Sequence, residues 1–415
     1  MTGGPNGSAA TARAGPRVAI VGGSLGGLIT ALQLRDVGCD VHVFERSRVP
    51  LEGRGAGIVL HPVTTRYFEE HRLLDLDRVS SSTRVLRYLS RDGSVLLEER
   101  IFYRFTSYAT LYAALVRFIE PQRYHLGSEC TGLAQDADGV TVWFAGGADD
   151  RFDLVVGADG VHSSVRGWLF PHVEPSYAGY VAWRGTMDEA LLPPRTADGL
   201  AGALTYFVAD RTHALSYVIP FADDDVEQRH MNWVWYRNVS AGGQLDDLLT
   251  DAAGLRHDMS LAPGQVRGPS VAELRQAAHG ELPPPFADLV GASRNPFVQV
   301  VVDIEVPAMV LGRVCLVGDA AFALRPHIAA GTAKAADDAR TLAEAIRGPA
   351  GDVVAGLAEW GPRQLHLGRS AAARTKDVGT RLQFAGTFRP GDPEVAFGLF
   401  APGDQNFPAT SASAT

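Results

Sequence analysis

Lysine is almost missing from this 415-residue chain: of its 38 lysines and arginines only Lys334 and Lys376 are lysines. Arginine carries the rest without forming a run, and the formal net charge is −9. A nucleic-acid partner needs clustered basic surface, so that class is excluded. Cysteine is scarce too. Cys39, Cys130 and Cys315 lie far apart among apolar neighbours. They offer neither a disulfide framework nor the ligand spacing of a zinc site. Buried, reduced thiols in a cytoplasmic protein without a metal are the expectation. No apolar run approaches the ~20 residues of a membrane span, and the first fifteen residues lack the apolar centre of a secretion signal. Residues 1–15 are expected to be disordered, and 403–415 to form a flexible tail.

What is present has ordinary α/β composition, 46% apolar and 20% charged, and enough length for a large core. Arg17 to Gly22 is a short apolar strand ending in glycine, Leu25 to Gly38 a helix, and Asp40 to Glu45 a second strand. That is a β-α-β unit of the expected ~30 residues. Weaker strands follow at 57–60, 85–89 and 95–99, then a helix over 108–119 with Ser107 as its N-cap, and strands at 140–144 and 152–156. From about residue 177 the strands turn aromatic: YVAWRG, ALTYFVA, THALSYVIP and HMNWVWYR alternate large side chains between Gly, Pro and Asp. This pattern predicts an antiparallel sheet with one packed face. Helical patches at 245–252 and 270–280 interrupt it, and helices at 331–347 and 351–373 close the chain.

Four segments carry chemistry. In Gly22-Gly23-Ser24-Leu25-Gly26-Gly27 the first glycine permits a tight turn and the last lets helix and strand pack closely. The small residues between let backbone amides reach a pyrophosphate at the positive helix end. Ser24 replaces the usual middle glycine, and its hydroxyl can itself donate. Glu45, at the end of the second strand, suits a ribose 2′-hydroxyl and disfavours a 2′-phosphate; Arg46 faces either solvent or an adenine. Gly157-Ala158-Asp159-Gly160 leads into Ser163, Ser164 and Arg166, a segment that reads either as a capped turn or as part of the same site. Last, Gly318-Asp319 precedes a loop stiffened by Pro326, and Ala329-Ala330-Gly331-Thr332 opens an Ala-rich helix whose free N–H groups suit an anionic group.

With these segments in order, the chain resembles the single-component flavin-dependent aromatic hydroxylases, which share the para-hydroxybenzoate hydroxylase fold. Within them it is similar to the subgroup acting on 2,6-dihydroxypyridine. VGGSLGGL, RFTSYATLY, YAGYVAWRG, RPHIAAGTAKAADDARTLAE and RLQFAGTF carry the likeness, from about Arg17 to Phe400. It implies an α/β fold: a Rossmann-like FAD-binding domain of the GR2 type with an inserted antiparallel β-sheet substrate lobe and C-terminal helices. Residues 16–176 would form the first part of the FAD domain, 177–305 the lobe, and 306–402 the second part. Non-covalent FAD, NADH or NADPH as a transient donor, O2 and a small aromatic substrate follow, in a cytoplasmic homodimer without membrane or nucleic-acid contact. Gly22, Ser24, Leu25, Gly27, Glu45 and Arg46 would hold the ADP half. Gly57, Asp159, Asp319, Ala329, Ala330, Gly331 and Thr332 would hold the rest. Many members place an arginine before the 108–119 helix in the pattern R-x-x-L-x-x-x-L; here Tyr108 stands in its place, and Arg104 is a candidate substitute that the sequence alone does not place.

Substrate contacts are expected from the aromatic sheet and the Pro326 loop: Tyr206, His213, Tyr217, Trp183, His61 and Trp235. Pro326, His213 and Tyr217 are the candidate catalytic residues, with His213 or a tyrosine as the base that deprotonates a ring hydroxyl. A flavin-dependent cyclase or dehydrogenase of a biosynthetic pathway stays open beside the hydroxylase.

Overall fold

The computed structural model describes residues 15–51, 57–220, 229–347 and 352–404. The disorder expected for 1–15 and the flexible tail of 403–415 fall, apart from Gly15, Gly403 and Asp404, outside those residues. Among them, no helix is long and apolar enough to cross a membrane.

A six-stranded sheet runs in the order Val310–Leu311, Val314–Leu316, Leu154–Gly157, Arg17–Val21, Asp40–Glu45, Tyr124–Leu126. All its pairings are parallel except the 310–311/314–316 hairpin. Its central strands are apolar throughout because both faces are covered: Val18, Ala19 and Ile20 have no exposed surface, nor do Leu154, Val155 and Val156. The helices Leu25–Asp36 and Gly331–Arg347 pack against each other, and Cys315 on the Val314–Leu316 strand is buried and free. All of this is the α/β dinucleotide-binding architecture that the β-α-β unit predicts.

The aromatic strands form a nine-stranded sheet, in the order Ser260–Leu261, Phe297–Asp303, Ser176–Asp188, Arg229–Asn238, Thr212–Pro220, Ala203–Ala209, Ser81–Leu89, Val95–Ser107, Gly57–Leu60. Two features depart from the sequence reading. Three of these strands come from upstream of residue 177, so the sheet is shared with the first part of the chain. Also, Ala203–Ala209 pairs with Ser81–Leu89 in parallel, which makes the sheet mixed. Alternation tells that a strand has one packed face; it carries no record of which distant strand will lie beside it.

The two faces of this sheet do different work. Val181, Trp183, Trp233 and Trp235 point outward into a core closed by Leu200, Leu245, Leu274, Phe286 and Leu289 of the covering helices. Tyr180, Ala182, Tyr206, Tyr217, Val234 and Tyr236 point inward, toward Ile328, Ala330, Ala333, Ala371 and Val378 of the nucleotide-binding half. The C-terminal helix runs over Val353–Thr380, seven residues past its expected end, and continues as a π-helical turn at Arg381–Ala385. It carries Pro362 in its interior.

Candidate active site

A cleft of about 580 Å³ opens where the parallel strands end, lined by Val21, Glu45, Ala158 and Val317 at the strand tips. Ligands in open α/β sheets bind in this position, outside the carboxyl ends of the strands. The glycine loop forms one wall. Gly22 adopts φ +110°, and a Cβ there would sit 2.4 Å from the Ala158 carbonyl oxygen. At Gly27 a Cβ would lie 1.9 Å from the Gly22 oxygen, so this position serves the packing of loop against helix and does not line the cleft. Ser24 is the N-cap of the Leu25–Asp36 helix but makes no side-chain cap bond. Its hydroxyl instead meets the Tyr108 hydroxyl at 2.8 Å, and both residues line the cleft. Arg104, by contrast, donates to Asp77 at 2.8 Å and lies off the cleft, so it does not substitute for the missing arginine.

Glu45 is buried and organised by the backbone: its carboxylate accepts the N–H of Gly23 at 2.9 Å and of Ser47 at 2.8 Å. Arg46 is exposed at the rim. Asp159 accepts from the Ser163 hydroxyl at 2.5 Å and the Val165 N–H at 3.2 Å, and burial raises its carboxyl above the usual range. Arg166 donates to the Val161 carbonyl at 2.6 Å and the Ala320 carbonyl at 3.1 Å, tying this turn to the Gly318–Asp319 corner. Asp319 lines the cleft wall with its side chain exposed to it.

At the far end of the cleft, Gly331 and Thr332 line it together with Ile58 and Gln299. Ala329 and Ala330 stand behind them. Ala329 adopts the left-handed conformation, φ +53°, and its carbonyl bonds the His61 imidazole Nε2 at 3.0 Å. Burial lowers His61 to about 4, so it is neutral and donates there. Gly57 also lies behind the cleft; its N–H donates to Asn232 at 3.2 Å, and a Cβ there would meet the Tyr217 hydroxyl at 2.6 Å.

The substrate candidates divide by strand parity. Tyr206, His213 and Tyr217 are buried on the inner face, and the Pro326 turn stands beside it. Trp183 and Trp235 lie on the outer face, in the helix-covered core, and are withdrawn as substrate contacts. A one-residue step along a strand reverses the face, which composition alone does not register. His213 stacks on Tyr236 with centroids 4.4 Å apart, and its Nδ1 meets the Gln383 amide at 2.6 Å. Burial holds its pKa well below the ordinary value. A buried imidazole with one nitrogen occupied is a weak proton acceptor, so His213 suits hydrogen bonding better than general-base work.

Sequence reasoning missed His327, Tyr180 and Gln383. His327 Nε2 meets the Tyr180 hydroxyl at 2.6 Å, its ring lies 5.2 Å from His213, and its Nδ1 has no partner. Arg325, paired with Asp303 at 2.7 Å, stands over the Tyr180 ring. Gln383 reaches the cluster from the π turn, whose backbone Asn238 also bonds. The segments RPHIAAG and RLQFAGTF contain two of these residues, but nothing in their spacing shows that they meet.

A family model described as FAD binding domain-like matches residues 177–303. The chain is 41% identical over 394 residues to 2,6-dihydroxypyridine 3-monooxygenase of Paenarthrobacter nicotinovorans, spanning 92% of this chain and 96% of that protein. The solved 2,6-dihydroxypyridine-3-hydroxylase from Arthrobacter nicotinovorans superposes with a TM-score of 0.88 at 40% identity, covering 92% of this chain and 97% of that one. Klebsiella pneumoniae HpxO, solved with FAD and uric acid, shares the fold with a TM-score of 0.74 at 23% identity over 89% of each chain. Parallel-sheet cleft, glycine loop, second flavin segment and near full-length similarity agree: the chain belongs to the FAD-dependent aromatic-ring monooxygenases, enzymes that use NAD(P)H and O2 to hydroxylate an electron-rich ring.

Proposed function

We propose that this enzyme hydroxylates a small dihydroxylated pyridine or a similar electron-rich ring, held between the inner sheet face and the Pro326 turn. The observation carrying this reading is a set of buried polar atoms without partners on that face: His327 Nδ1, Gln383 Oε1, Asn232 Nδ2, Arg184 Nε and Arg325 Nη1. Buried polar groups are ordinarily paired, so a set of orphans marks where a polar ligand would supply the missing partners. A heteroaromatic ring with two oxygen substituents and a ring nitrogen offers both donors and acceptors to it. Tyr206, Tyr217 and Tyr236 would flank such a ring, and the neutral imidazoles of His213 and His327 would bond its substituents. The 2,6-dihydroxypyridine enzyme among its relatives supports this substrate class.

FAD fits the cleft residue by residue in this reading. The helix N-terminus at Ser24–Gly26 faces a pyrophosphate, Glu45 the adenosine ribose, Asp319 the ribityl hydroxyls, and Gly331–Thr332 the ring edge. Small residues are present where a ring would approach backbone. FAD supplies the redox and oxygen chemistry; the chain orients the ring and keeps water away. A cytoplasmic homodimer is the matching assembly: the three free, buried thiols fit a reducing compartment, and light scattering tests the dimer.

The test is NADH and NADPH oxidation by the purified flavoprotein, with and without 2,6-dihydroxypyridine, while hydrogen peroxide is followed. Strong stimulation with little peroxide is expected. Stimulation with one peroxide per reductant would mean the compound is only an effector. No stimulation across hydroxylated pyridines and phenols would sink the substrate assignment.

A further inference from the structure

His327 makes one side-chain hydrogen bond, and that bond decides which of its nitrogens carries the proton. Its Nε2 and the Tyr180 hydroxyl lie 2.6 Å apart, with both residues buried. The imidazole stands near the Arg325 cation and is bonded to no carboxylate among the described residues, so it is neutral and holds a single proton. Tyr180 has a proton of its own to place. Arg325, over the phenol ring, can only donate, and it engages both oxygens of Asp303 through Nε at 2.9 Å and Nη2 at 2.7 Å. Gly379 of the C-terminal helix closes over the bond: a Cβ there would lie 2.8 Å from the phenol oxygen and 3.0 Å from His327 Nε2. A proton on Nε2 would leave the Tyr180 hydroxyl buried without an acceptor, at the cost of an unmade hydrogen bond. The phenol therefore donates to Nε2, and the imidazole proton sits on Nδ1.

We propose that Tyr180 is a positioning residue that locks His327 in its Nδ1–H tautomer, so that this corner of the site receives a substrate oxygen without a proton, an oxo group or an oxyanion, and disfavours a substituent that donates. This rests on the reading that the aromatic substrate lies on the inner sheet face. Nδ1 is buried without a partner, on a ring 5.2 Å from that of His213 and 5.1 Å from that of Tyr236, both on that face. A neutral Nδ1–H cannot take a proton from a ring hydroxyl. It donates to the oxygen once the proton has left, or to the oxo form whose proton sits on the ring nitrogen. Either form pushes electron density into the ring, which an electrophilic hydroxylation requires. Selectivity between rings of one shape follows. A dihydroxypyridine in its oxo or anionic form pairs with the donor, whereas a diaminopyridine sets N–H against N–H and leaves both unpaired.

Two measurements on the FAD-loaded enzyme test this, for the wild type and Tyr180→Phe. Long-range proton–nitrogen NMR with isotope-labelled histidine reads the tautomer of His327, assigned by its absence from His327→Phe. Flavin absorbance changes, without oxygen or reductant, give the dissociation constants of 2,6-dihydroxypyridine and 2,6-diaminopyridine. The wild type is expected to show a bare Nε2 and to prefer the dihydroxy compound. Tyr180→Phe should move the proton to Nε2 and reduce that preference about tenfold, the value of one hydrogen bond to a buried partner. A protonated Nε2 in the wild type, or an unchanged tautomer in Tyr180→Phe, overturns the proposal. So does an equal weakening of both compounds, which is what a merely loosened site would give. If Tyr180→Phe fails to load flavin, wild-type spectra with dihydroxypyridine bound decide, and transfer of the proton to Nε2 there overturns the proposal. If neither compound perturbs the flavin, the substrate class proposed above falls, and the tautomer of the ligand-free enzyme still decides whether Tyr180 locks His327.

Discussion

The hydroxyl groups of Ser24 and Tyr108 lie 2.8 Å apart across 84 residues of sequence, at the wall of the cofactor cleft. Both residues replace what the family pattern leads one to expect, a glycine and an arginine respectively. Each replacement alone looks like a defect. Together they form a hydroxyl pair beside a helix N-terminus. Removing the phenol oxygen deletes one hydrogen bond there, a contribution of about 1 kcal/mol. Tyr108→Phe should therefore raise the FAD dissociation constant roughly fivefold while preserving turnover at saturating FAD. Wild-type affinity on fluorescence titration would show that the pair only packs.

Ala329 occupies a conformation that glycine prefers, just before the helix that ends the cleft. A left-handed residue with a side chain costs about 1–2 kcal/mol, partly offset in glycine by the freedom of its unfolded chain. Ala329→Gly is expected to leave stability unchanged or raise it by up to about 1 kcal/mol. Ala329→Val, β-branched, should lower it by more than that. Thermal denaturation of both variants decides, and a destabilised glycine variant would count against strain at this turn.

His61 holds that turn from the opposite side, and its titration sets a pH dependence. Its folded pKa, lowered to about 4 by burial, lies below the ordinary value of 6.5. Its contribution is thus complete above about pH 6.5 and disappears as pH falls toward 4. His61→Gln keeps a donor for the Ala329 carbonyl but does not titrate. The stability gap between wild type and His61→Gln should shift against the wild type by about 3 kcal/mol over that window. Urea denaturation at pH 7 and pH 4.5 measures it; a gap independent of pH would contradict a buried neutral imidazole.

The two faces of the nine-stranded sheet should separate stability from substrate binding. Trp183 is about 1% exposed in the outer core, and Trp183→Ala should cost about 3–5 kcal/mol while the surviving enzyme keeps its KM. On the inner face, His327→Asn should raise KM for the aromatic substrate about tenfold, the effect of losing a hydrogen bond to a buried polar ring, with a smaller change in melting temperature. If Trp183→Ala raised KM and His327→Asn did not, the faces would be assigned the wrong way round.

How far the chain could be read without coordinates depended on the range of the interaction. The turn at Gly22, the strand carrying Glu45 and the helix start at Gly331 follow from local rules, because a tight turn, an alternating strand and a capped helix are decided within a few residues. Trp183 and Arg104 failed for the opposite reason. The face a strand residue takes depends on register, and the direction of a long cationic side chain depends on a partner such as Asp77, 27 residues away.

The sequence by itself determined the dinucleotide-binding half, its cofactor class and the order of its cleft segments, since each is encoded by small residues at short, fixed spacings. Only the tertiary structure decided which polar groups meet. His213 with Gln383, His327 with Tyr180, Ser24 with Tyr108 and Gly318 with Asp338 are each joined across 20 to 170 residues. Closing loops of that length costs entropy that local propensity cannot repay. It is the packing of two sheets and the long C-terminal helix that brings those groups within hydrogen-bond reach.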